Sequence, residues 1–165
     1  MDLILHDLDE QSFSTLPWLN TPIAFGPNTR LHFCEGCFDC WVKTPGRCKL
    51  KDEGYAIPHK LSQAERLIIV TKLFHGGPSP MVKRLIDRCL PFFHPYFAIR
   101  NGEMHHKERY PQGFKLVFRF YGSAGPAEKD LALGWALAMA VNCNTPQPEV
   151  HFNENVSDLV MEVAK

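Results

Sequence analysis

A surplus of charge of either sign is missing from this chain: its 165 residues carry 18 Lys/Arg and 18 Asp/Glu. That balance excludes the strongly basic composition of a dedicated nucleic-acid binder. Long apolar runs are missing too. The longest, Leu131 to Val141, is too short to cross a bilayer and reads as a buried helix, so no membrane association is expected. The Met1-Asp2 start lacks the basic flank and apolar stretch of a leader, which predicts a cytoplasmic protein. Repeats and low-complexity tracts are also absent. What is present is a globular composition, 45% hydrophobic against 22% charged. A chain of this length buries roughly 70% of its unfolded surface and needs no staple. The expectation is a single domain over residues 1–165.

Three segments predict buried strands. Leu3 to Leu5 opens the chain. Leu67 to Val70 is a short, unbroken, branched apolar run, as in parallel strands covered on both faces. Phe114 to Phe120 places Phe114, Leu116, Phe118 and Phe120 on one face. Leu31–Phe33 and Glu149–Phe152 are weaker candidates. Ser79-Pro80 predicts a capped helix to Leu90, with Val82, Leu85 and Ile86 inward and Lys83, Arg84, Asp87 and Arg88 facing away. A second helix runs from Pro126 to about Val141 with a stop near Asn142, a third covers Val156 to Val163, and a short one lies between Tyr55 and Ala64. Strands alternating with helices predict an α/β domain: a three-layer, doubly wound, parallel five-stranded sheet of the flavodoxin type, with a shortened first crossover. Ligands of such folds sit at the carboxyl ends of the strands, near the switch point.

Cys34, Cys37, Cys40 and Cys48 form C-x2-C-x2-C-x7-C. Core packing alone does not place three thiols within seven residues. Turns at Gly36 and Pro45-Gly46 can fold the fourth thiol back onto the others. Four such thiolates suit a [4Fe–4S] cluster or a tetrahedral zinc, and the compact triple favours iron–sulfur. Bare or redox-active thiols are the alternative. Cys89 and Cys143 read as structural, because a buried thiol behaves as a small hydrophobe.

The stretch Cys34 to Cys48, followed by the acidic pair Asp52-Glu53, resembles the cysteine motif of iron–sulfur flavoproteins. It is also similar to flavodoxin-like members of the NADPH-dependent FMN reductase superfamily. Gly76-Gly77-Pro78-Ser79-Pro80 with Lys83…Ile86-Asp87-Arg88 resembles that family's loop and helix after the third strand. The resemblance implies an FMN at the carboxyl edge of the sheet. Its ring would lie against Lys72, Leu73, Phe74, His75, Gly76 and Gly77, with Tyr121, Gly122 and Ser123 lining the other side. It implies NAD(P)H as reductant, electron transfer through a cluster on the four cysteines, and a small-molecule or other redox acceptor. The first loop departs from the pattern. His6 to Thr15 has no glycine and carries Asp7, Asp9 and Glu10, which oppose a dianionic phosphate. A flavodoxin-fold binding or regulatory protein without flavin, with a metal or thiol switch at the cysteines, is therefore the second expectation.

Catalytic residues stay unassigned; His75 is a weak candidate for a base. Between Lys83 and Arg119 stand eight Lys/Arg against three Asp/Glu, read as a solvated segment or as a patch for the phosphates of FMN or NAD(P)H. At least half of Phe92, Phe93, Tyr96 and Phe97 are read as core packing, with a flavin flank or a homodimer contact as alternatives. Trp41 is read as filling a gap or shielding a cluster.

Overall fold

The computed structural model describes residues 1–16 and 22–159. In chain order the elements are β1 (Asp2–His6), α1 (Glu10–Thr15), β2 (Ile23–Phe25), α2 (Asp39–Val42), α3 (Ile57–Leu61), β3 (Arg66–Phe74), β4 (Gly77–Pro78), α4 (Pro80–Asp87), β5 (Phe93–Arg100), β6 (Glu103–Glu108), β7 (Lys115–Tyr121), α5 (Pro126–Cys143) and β8 (Glu149–Asn153). The main sheet runs β2-β1-β3-β7-β8 with every pair parallel, and the short β4 adds antiparallel to β3. This is the flavodoxin-like order, and its strand sequence reverses between β1 and β3. None of the described helices is long and apolar enough to cross a membrane.

Residue alternation explains the burial of this sheet on both faces. Leu3, Leu5, Leu67, Ile69, Leu116, Phe118 and Phe120 pack into one cluster beneath α3, α4 and α5. Ile4, Ile68, Val70 and Val117 pack into another with Leu8, Leu16 and Leu159. Phe118 is fully buried, so truncating it to Ala costs about 3–5 kcal/mol. The fully buried positions of helix α5 are small, Ala132, Ala136, Ala140 and Cys143, and beside them Trp135 packs edge-on against Phe118 of the sheet.

The sequence placed these core strands correctly, and five details differ. Leu31 to Phe33 is not a strand; the second strand is Ile23–Phe25. Backbone groups at 30–32 are satisfied instead by side chains: Glu53 and Asp52 accept from Arg30 N (2.8 Å) and His32 N (2.7 Å), and Arg84 donates to the Leu31 carbonyl. Helix α4 keeps its Ser79 cap and Pro80 start, yet Arg88 does not face away, being 1% exposed. Residues 93–108 form a separate antiparallel hairpin, β5–β6. Its Asn101 (φ 51°) and Gly102 (φ 83°) both adopt the left-handed backbone of a type I′ turn. Helix α5 ends at Asn144 in left-handed conformation, two residues beyond the expected stop. Of the expected C-terminal helix, Val156–Asp158 is a single 3-10 turn, and residues 160–165 lie outside the described part.

Candidate metal centre and the carboxyl edge

The four motif cysteines line one shallow, open hollow, together with Phe38, Arg88, Leu90 and Pro91. Local geometry produces this. Gly36 (φ 62°) and Gly46 (φ 80°) take left-handed turns, which glycine adopts at no steric cost. The Gly46 N–H then donates to the Cys40 carbonyl at 2.9 Å, returning the chain so that Cys48 rejoins the triple. Cys34 and Cys37 are exposed, Cys48 is half-buried and Cys40 is buried. Burial, and then the nearby Cys48, Cys34 and Cys37, push the Cys40 thiol up to about 11.

Helix α4 holds the loop from below. The Arg88 guanidinium donates to both Asp52 oxygens at 2.7 and 2.8 Å and to the His32 carbonyl at 2.9 Å. It also interacts with the Cys48 thiol. Burial alone would raise the Asp52 carboxyl, but hydrogen bonds from Arg88 and His32 outweigh it and hold it below the usual carboxylate value. From the side, Trp41 Nε1–H donates to the Phe93 carbonyl at 3.0 Å. The hollow therefore sits by the C-terminal turn of α4, away from the carboxyl edge of the sheet where ligands of such folds usually bind.

Two observations test this site for a cluster. The donor set is four soft thiols on one hollow, which suits iron–sulfur chemistry. The Arg88 Nε–H is buried with no acceptor among the described residues, an orphan that is costly, and Arg88 lines the hollow. No three His, Cys, Asp or Glu side chains among the described residues converge on one point. The donor chemistry of four thiols on one hollow is what fits an iron–sulfur cluster.

The expected flavin residues lie at the opposite, carboxyl edge. Lys72, Leu73 and Phe74 end β3, His75 (φ 48°) and Gly76 (φ 77°) make a tight turn, and Gly77 starts β4. This hairpin leans on α5, where a Cβ on Gly76 would lie 2.6 Å from Leu131. Tyr121 and Gly122 stand beside Lys72, and Ser123 is exposed. The donors here are already used. Asp7, just past β1, accepts from Lys72 N (3.0 Å), Thr71 Oγ1 (3.1 Å) and the Tyr121 hydroxyl (3.0 Å). Burial and then Asp7 push the Tyr121 hydroxyl well above its ordinary value. Asp9 caps α1, accepting from Ser12 N at 2.8 Å. The Gly76 N–H donates to Glu128 at 3.3 Å. The neighbouring open hollow is edged by Asp9, Glu10 and Glu53. These residues do not fit a flavin phosphate: its cradle is filled and ringed by carboxylates.

Sequence reasoning quoted Asp52, Asp87 and Arg88 without giving them a role, and read Asp7 only as a repulsive charge. Helical spacing of Arg84 and Arg88 behind a cysteine loop was the available signal for a support beneath it.

Comparison with known proteins agrees in part. A 55-residue segment, 33% of this chain, is 36% identical to an iron–sulfur flavoprotein of Archaeoglobus fulgidus and spans 26% of that protein. No family model matches the chain.

Proposed function

We propose that this protein is an oxidoreductase of flavodoxin-like fold whose redox centre is a [4Fe–4S] cluster on Cys34, Cys37, Cys40 and Cys48. The observation that carries this reading is the single hollow shared by the four thiols, with Arg88 among its lining residues. When bound, such a cluster supplies one-electron transfer. The chain's own contribution is mechanical and electrostatic. Asp52 and Arg88 fix the 31–33 segment, Trp41 ties α2 to the hairpin, and Phe38, Leu90 and Pro91 give the hollow an apolar lining. Cys40 must lose its proton on loading, so metal uptake weakens as pH falls.

Reconstitution under argon with ferrous iron and sulfide tests the reading. About four irons per chain and a broad visible band are expected, and Cys37→Ser should lose most of both. A single zinc per chain, or two disulfides by mass with no iron uptake, would reject it.

A second reading is the FMN- and NAD(P)H-using reductase that the resemblance implies. The similarity to a protein named as a flavoprotein favours it, while Asp7 and Asp9 oppose it. Titration of FMN into the protein, followed by flavin fluorescence, separates the two.

A further inference from the structure

We infer that the buried Arg88–Asp52 pair sets the reduction potential of the thiol centre: Arg88 favours its reduced form, and Asp52 holds that effect in check. The inference rests on the cluster reading above. It gives Arg88 a positioning role that holding the loop in place does not require. Arg88 lines the hollow together with all four motif cysteines. A guanidinium carries five N–H donors. Three bonds go to the two Asp52 oxygens and the His32 carbonyl, so donors remain, and the side chain also reaches the Cys48 thiol.

The other charges on the hollow are screened. Glu35 pairs with Lys49 and Asp87 with Lys83, and all four side chains are at least 40% exposed, where water and salt weaken their fields. The Arg88 and Asp52 side chains are almost wholly buried, and a charge there acts through a medium of lower dielectric. Reduction brings one electron from an outside one-electron donor. It adds one negative charge to the centre, with no bond made or broken. An N–H donated to a ligand sulfur and a positive charge beside it both favour the more negative state. The carboxylate of Asp52 opposes it. With both partners present the charges largely cancel, and the bond to Cys48 is what remains.

Reconstituted protein titrated with dithionite against one-electron viologen dyes under argon gives the midpoint, read by visible absorbance and by the paramagnetic signal of the reduced centre. Asp52→Asn leaves the Arg88 charge unopposed and should raise the midpoint. Arg88→Met leaves the Asp52 charge unopposed and should lower it. Each change should shift the reduction equilibrium tenfold or more, and tenfold is about 59 mV for a one-electron couple. Asp52→Leu/Arg88→Met removes both charges and the donor to Cys48, so its midpoint should fall between those of wild type and Arg88→Met. Both single variants strand a buried charge and lose stability. A purely structural pair would therefore move them in the same direction or not at all, and either result overturns the inference. Where a single variant fails to load iron, the double variant decides: a midpoint below wild type at full iron supports the inference, and one equal or above overturns it. Loss of iron from all three variants assigns the pair to holding the loop alone and overturns it too. Absence of iron from the wild-type protein overturns the cluster reading instead.

Discussion

Asp52→Asn removes one charge from a pair that water cannot reach: the Arg88 and Asp52 side chains are 1% and 7% exposed. Asparagine keeps the shape but leaves a buried guanidinium without its counter-ion. Breaking such a pair from one side costs about 3–5 kcal/mol, because the stranded charge keeps its desolvation penalty. Stabilities of whole domains are about 5–15 kcal/mol, so this single atom exchange should remove a large share. The melting temperature should fall by roughly 6–20 °C. Urea unfolding checks it: the midpoint drops while the slope holds. The exposed pair Lys43–Asp39, at 3.2 Å with Lys43 72% exposed, gives the internal comparison, since Asp39→Asn should cost under about 1 kcal/mol. Asp52→Leu combined with Arg88→Met should recover most of the loss. Equal, small losses from Asp52→Asn and Asp39→Asn would refute the claim that α4 holds the thiol loop through a buried charge.

Asp7→Ala leaves the Lys72 N–H and the Tyr121 hydroxyl without their side-chain acceptor; stability should fall by about 1–3 kcal/mol, and FMN affinity by fluorescence should rise at least tenfold, whereas equal affinities in both proteins would show that Asp7 does not guard the site. Burial holds Cys143 up to about 12 and Cys89 higher still, while an unfolded thiol titrates near about 8.5. Above that value the unfolded chain sheds protons that the folded one keeps, so stability is full at pH 7 and should decline from about pH 9 upward by roughly 1.4 kcal/mol per pH unit for each thiol; a Cys89→Ala/Cys143→Ala variant with an unchanged alkaline slope in urea midpoints would argue against it. Gly134 is exposed within α5 with nothing within 4 Å of a built Cβ, so Gly134→Ala should raise stability by about 0.5–1 kcal/mol, readable as a small upward shift in melting temperature.

The strands that form the sheet interior were legible because burial on both faces leaves continuous runs such as Leu67 to Val70, and helix α4 was legible from its Ser79-Pro80 start. Ile23 to Phe25 was not, since a three-residue edge strand leaves no periodicity. The hairpin was half legible: Asn101-Gly102 announced a turn, but the flanking His94, Pro95, His105 and His106 hid the strands. At the site, the cysteine spacing pointed to the four thiols that share the hollow. Their distance from the carboxyl edge was hidden, because it depends on α4 reversing direction and on Arg84 and Arg88 reaching residues more than fifty positions earlier. Asp7 shows the same limit. Its charge is visible in sequence, but its hydrogen bonds arise only when β1, β3 and β7 lie side by side.

Asp7 follows β1 directly, so its carboxylate is held against Thr71, Lys72 and Tyr121 by the sheet itself. Even a short flexible tether confers an effective concentration in the millimolar range, and a rigid strand end confers more. A dissolved phosphate ester at micromolar levels competes for those donors against a rival that never diffuses away. Its intrinsic affinity would have to exceed that of Asp7 by roughly a thousandfold merely to draw level. The switch point of this sheet behaves as a receptor already saturated by its own ligand, and a single neutral residue at position 7 would vacate it.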